Sequence, residues 1–134
     1  YDASELQADP ADSSALRAST EELVSEAFCE AQPEVLDQIL EWRSEEDAAP
    51  DAQDAQQAAL EAFDAEPLYE LTRPALVVAG GQDTVVDSTE SKRLAEELPR
   101  GEFHEFPEAG HLVGVERSAA LNDRLVDWLE SVEE

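Results

Sequence analysis

The chain has 134 residues, with 34 acids against 8 lysines plus arginines and a net charge of −26. A field of that sign repels nucleic acid and anionic membrane, and no apolar run approaches the roughly 20 residues of a bilayer span. A single Cys29 excludes an internal disulfide and fits a reducing, cytoplasmic interior.

Acids interleave with Leu, Val, Ile, Phe and Trp at regular spacing, and the hydrophobic fraction is 42%. That pattern belongs to a folded protein with a carboxylated surface rather than to a disordered segment. Lys92 is the only lysine, which together with the charge points to a salt-loving source. The chain opens at Tyr1 and contains no Met, so it is expected to be a trimmed, processed or partial product.

Residues 1–18, rich in Asp, Ser and Ala, read as an irregular lead-in. Ser19-Thr20-Glu21-Glu22 has the form of a capping box, predicting a first helix that carries Leu23, Val24, Ala27 and Phe28 on one face. Pro33 suits the first position of a second helix, followed at helical spacing by Val35, Leu36, Ile39, Leu40 and Trp42. The acidic stretch 44–51 predicts a loop and about 52–63 a third, alanine-rich helix with Leu60 and Phe63. Cys29 reads as a small core residue. Trp42, Leu60 and Phe63 are expected chiefly to pack between helices, with Trp42 and Phe63 as candidates for lining a substrate pocket.

From Pro67 the character changes. Ala75-Leu76-Val77-Val78-Ala79 is a continuous apolar run of the kind buried on both faces in a parallel sheet. Asp87-Ser88-Thr89-Glu90 caps a helix with Leu94, Ala95 and Leu98, and Pro99 and Gly101 stop it. Residues 102–106 alternate as a second strand nearer an edge, and 118–131 form a last amphipathic helix. The fold class is therefore α/β: a helical region over 1–66, then a βαβα region over 67–134 with a parallel sheet. Two strands alone make a poor parallel sheet, so 67–134 is expected to be the end of a larger one.

Two stretches carry chemistry. Gly80-Gly81-Gln82-Asp83 follows the first strand, its glycines allowing a sharp turn, and Ala109-Gly110-His111 follows the second. Ligand crevices in open α/β sheets lie beyond the carboxyl ends of strands, so Asp83 and His111 are expected on one rim. A carboxylate beside an imidazole fixes its tautomer and favours the imidazolium that forms when the base takes a proton. His104, between Glu102 and Glu105, reads as a surface residue. With two histidines and no cysteine cluster, a structural zinc site is not expected. Acidic clusters such as Glu45-Glu46-Asp47 lack the ordered ligand spacing of a calcium loop and read as a solvated face.

The stretches 74–86 and 106–116, with the helix through Asn122, Leu125 and Trp128, resemble the C-terminal end of α/β-hydrolase fold proteins, in the esterase, enol-lactonase and haloperoxidase-like branch. The resemblance implies that Asp83 is the triad acid, His111 the general base, and 1–65 a helical cap over the active site. It also implies a small ester or lactone as substrate, hydrolysed without a cofactor, with cleavage of carbon–carbon or carbon–halogen bonds a further chemistry of the family. No Gly-x-Ser-x-Gly turn occurs, and the N-terminal half of that fold, with its nucleophile and oxyanion loop, has no counterpart in this chain. The expected partners are thus that missing half or another protomer. The rival reading is a non-catalytic remnant acting through its open sheet edge.

Overall fold

The computed structural model describes residues 6–65 and 67–133. Part of the predicted lead-in and the boundary residue at 66 lie outside them. Helix α1 spans Ser13–Glu21, α2 Glu26–Ala31, α3 Pro33–Glu46 and α4 Pro50–Glu61.

The start of the first helix departs from expectation. Asp12, not Ser19, is the N-cap, its carboxylate accepting from the amides of Ser14 and Ala15. Ser19 and Thr20 lie inside α1, buried, and donate back to the Leu16 carbonyl as helical hydroxyls do. Their oxygens also receive Arg43 Nη1 of α3, at 2.9 and 2.7 Å. Arg43 goes on to Asp47 and to the Leu6 carbonyl, so one guanidinium ties α1, α3 and the N-terminal segment together. The single helix expected from Ser19 is in fact two, broken at 22–25, with Ser25 capping α2 through the Phe28 amide.

Pro33 does open α3, where the fixed proline φ and missing N–H cost nothing. The loop expected over 44–51 shrinks to 47–49, because α3 runs on through an Arg43–Asp47 pair one turn apart. Pro50 then starts α4. Trp42, Leu60 and Phe63 do not pack between helices among the described residues: they are 55%, 41% and 72% exposed. Cys29 is half-buried rather than core. The buried apolar positions of the helical region are few, Ala8, Leu16, Val24 and Leu36.

A 3₁₀ turn at Leu68–Glu70 leads to β1, Ala75–Gly80, which pairs in parallel with β2, Gly101–Phe106, from Ala75 opposite Gly101 to Gly80 opposite Phe106. Helix α5, Ser88–Glu97, makes the crossover, capped by Asp87 through the Thr89 amide. A Cβ on Gly101 would sit 2.1 Å from the Ala95 carbonyl oxygen, so glycine lets α5 lie down on the sheet. Val113–Glu116 is a short helix, α6, and Ser118–Val132 is α7. Phe106, Ala109 and Val113 form a buried cluster with Val78 and Leu121 against it.

His104 is half-buried, its ring edge-on to Phe106 at 4.7 Å between centroids, rather than at the surface. The second edge of β1 has no ladder partner among the described residues. Leu125, Val126 and Leu129 of α7 remain substantially exposed. Such apolar surface belongs to a sheet and helix built to be covered. Among the described residues, no helix is long and apolar enough to cross a membrane.

Candidate functional site

The site is assembled by main chain packed on main chain at the carboxyl ends of β1 and β2. Beyond Gly80 the Gly81 amide donates to the Phe106 carbonyl, and the Gln82 amide to Ala109, at 2.8 and 2.9 Å. A Cβ on Gly80 would lie 2.1 Å from the Gly110 carbonyl oxygen, and one on Gly81 2.7 Å from that of Pro107. The two glycines were expected for a sharp turn, yet none of the described glycines has positive φ. Space is the reason for them: any side chain would push the two loops apart.

This zipper delivers Asp83 and His111 to each other. Asp83 Oδ2 lies 2.9 Å from His111 Nδ1. Its Oδ1 accepts from the amides of Val85 and Val86 at 2.8 and 2.9 Å. The carboxylate is thus gripped at both oxygens, and its side chain is only 7% exposed against 33% for the imidazole. Two backbone donors orient it and stabilise its charge. A carboxylate at Nδ1 calls for a proton there, and in the neutral ring that tautomer puts the lone pair on Nε2. Among the described residues Nε2 has no hydrogen-bond partner, so it is available to take a proton.

The helical region touches this pair through the break between α1 and α2. The Leu112 amide donates to the Leu23 carbonyl at 2.9 Å. Thr84 Oγ1 lies within hydrogen-bond reach of the Glu22 carbonyl and carboxylate, at 3.2 and 3.1 Å. A Cβ on Gly110 would meet Val24 C at 2.8 Å. Glu116, from α6, accepts the Gly110 amide on Oε2 and the Ser25 amide and hydroxyl on Oε1. Sequence reasoning missed Glu116, Ser25 and Thr84 as contributors. In a chain with 34 acids, one more carboxylate carries no signal.

No hydroxyl among the described residues bonds to His111. The Ser25 hydroxyl donates to Glu116, and the Thr84 hydroxyl is held at Glu22. Cys29 is no substitute nucleophile: burial, then the charges of Glu21 and Glu116, push its thiol pKa up and suppress the thiolate. Phe63 lines a hollow with Pro67, Leu68 and Leu71, and Trp42 is exposed on α3. Among the described residues, no group of three or more His, Cys, Asp and Glu side chains is arranged to hold a metal ion.

Comparison with known proteins adds a frame. The family profile described as alpha/beta hydrolase fold matches residues 7–118. A putative carbamate hydrolase, RutD, of Variovorax paradoxus is 40% identical over 75 residues, which is 55% of this chain and 28% of that protein. Among solved structures, the N-acyl homoserine lactone degrading enzyme Est816 superposes with a TM-score of 0.71 at 25% identity, over 86% of this chain and 46% of that one. A thermophilic esterase from Thermogutta terrifontis gives 0.70 at 25%, over 86% and 42%. The chain therefore spans about a quarter of that curated relative and under half of the solved neighbours. What is described here, helices and a small parallel sheet, is part of the larger architecture.

Proposed function

The chain belongs to the alpha/beta hydrolase fold family, and from that premise we propose that it supplies the acid and base of a serine-type hydrolase acting on a carboxylic ester or lactone. The observation that carries the reading is the Asp83–His111 contact at 2.9 Å, with the second carboxylate oxygen held by two amides. In the proposed cycle a serine outside residues 1–134 attacks the acyl carbon. His111 Nε2 accepts its proton, the alkoxide leaving group takes that proton back, and water repeats the sequence to release the acid. Asp83 keeps Nδ1 protonated and faces the imidazolium while it exists. The oxyanion donors come from the same absent region, so residues 1–134 alone are expected to be inert. No cofactor is needed.

We assign residues 1–66 as the cap and 67–134 as the C-terminal part of the catalytic core. Exposed Trp42 and Phe63 offer apolar surface to the acyl portion of a substrate. The ester or lactone class draws support from the lactone-degrading enzyme and the esterase among the structural neighbours. A cytoplasmic, high-salt setting fits the lone cysteine and the charge of −26.

The test is hydrolysis of p-nitrophenyl butyrate and of a small lactone by the full protein containing residues 1–134, in high salt. Turnover that vanishes in His111→Ala with the fold intact supports the proposal. Turnover unchanged by that substitution sinks it. A full protein that hydrolyses neither substrate and resists serine-directed reagents turns the reading to a non-catalytic module joined through the open edge of β1.

A further inference from the structure

Asp83 fixes one side of His111, but something must also fix the turn that carries it. The His111 backbone lies between Gly110 and Leu112, and both neighbours are tethered to the break between α1 and α2. Leu112 uses a main-chain bond. Gly110 uses Glu116, whose carboxylate reaches the Gly110 amide at 2.5 Å with one oxygen. The other oxygen holds Ser25, at 3.1 Å from its amide and 2.5 Å from its hydroxyl. Ser25 is 5% exposed and Gly110 is buried. Its hydroxyl also accepts the Phe28 amide at 3.2 Å, so the chain of bonds runs from the first turn of α2 through Ser25 and Glu116 to the peptide before His111.

We propose that Glu116 is a positioning residue for the general base: it bridges the histidine turn to the α1–α2 junction and thereby holds the His111 ring in register with Asp83. The proposal rests on the reading of His111 as base. Its chemistry follows from the donor set. Three donors, two amides and a hydroxyl, converge on one carboxylate, which offers acceptor sites on both oxygens. A glutamine of the same shape has one oxygen and one NH2 group. Whichever way it turns, either the Gly110 amide or the Ser25 pair faces another donor, and a buried amide is left without an acceptor. Glu116→Gln therefore cuts the bridge without changing volume. Because the bridge ends one residue from His111, its loss shifts the imidazole, and a misplacement of about 1 Å costs about a hundredfold in rate.

The experiment compares parent, Glu116→Gln, Glu116→Asp and Ser25→Ala in the full protein containing residues 1–134. It reads steady-state kinetics and the nitrogen-15 spectrum of the His111 ring, which reports the tautomer without turnover. For Glu116→Gln the expected result is a kcat reduced about 10- to 100-fold with KM within about twofold, and mixed tautomers where the parent shows Nδ1–H. Ser25→Ala should move both readouts in the same direction by less, and Glu116→Asp should recover part of the loss. Lower thermal stability with unchanged kcat and tautomer overturns the proposal, as does a raised KM alone. Should Glu116→Gln fail to fold, Ser25→Ala and Glu116→Asp decide by the same criteria. His111→Ala run alongside separates the two claims: retained turnover there removes the base assignment, while the ring spectrum still judges Glu116.

Discussion

Residues 75–112 are held by main chain on main chain, with strands in register, loops zipped by amide–carbonyl bonds and glycines where no side chain fits. Residues 6–46 hang instead on side chains, above all Arg43 reaching Ser19, Thr20, Asp47 and Leu6. The charges differ as well. Residues 6–65 carry 16 acids against two arginines, whereas 67–133 carry 14 against six basic residues. The proposed catalytic pair sits on the part of the molecule held by main-chain packing. A region tied by a few polar knots can shift without unfolding the sheet. The difference places rigidity under Asp83 and His111 and leaves adaptability to the helices beside them.

The sharpest way to break this contrast is at the pair itself. His111→Ala and Asp83→Asn should each lower kcat of the full protein by about 10³-fold or more while the circular dichroism spectrum stays unchanged. A Gly110→Ala substitution attacks the seam between regions, because its Cβ would press on Val24 and Ser25. It should destabilise by about 3 kcal/mol in chemical denaturation and lower activity together. Arg43→Ala tests the polar knot. We expect a loss of about 2–3 kcal/mol, with amide exchange rising in α1 and α3 but not in β1 or β2. Equal loss of protection in both regions would show that they are not separately supported.

Salt should sharpen the same distinction. Raising KCl from about 0.1 to 2 M shortens the screening length from about 10 Å to below 3 Å. Amide protection in the helical region should increase more than in the strand region, since its acids are less balanced. The smallest effect lies at Asp87, whose pKa is lowered by hydrogen bonds from the Thr89 hydroxyl and amide. A depressed carboxyl stabilises the fold above its unfolded pKa and loses that contribution as pH falls through its folded value. Asp87→Ala should therefore flatten the acid limb of the stability profile slightly, an effect read by thermal melts across acidic pH.

Much of the strand region could be read from residues alone. The apolar run at 75–79, the Asp87 cap and the Pro99–Gly101 stop are local signals, and local chemistry set those boundaries. Asp83 and His111 were legible because each follows a strand end. The helical region was harder, and Ser19 shows why. A serine followed by Glu22 has the form of a cap, but Arg43, 24 residues on, holds its hydroxyl inside a helix already capped by Asp12. Trp42 and Phe63 mislead in the opposite way, since apolar spacing implies a covering partner that the described residues do not contain. Glu116 was invisible because its role depends on Ser25, 91 positions earlier.

The central claim is that Asp83 and His111 serve a serine nucleophile. Labelling the full protein containing residues 1–134 with a fluorophosphonate in high salt, read by intact mass for parent and His111→Ala, tests it most directly. One adduct on a serine is expected in the parent, with labelling slowed by about 10³-fold in the variant. Labelling at the same rate in both, or no adduct on the folded parent, would contradict it.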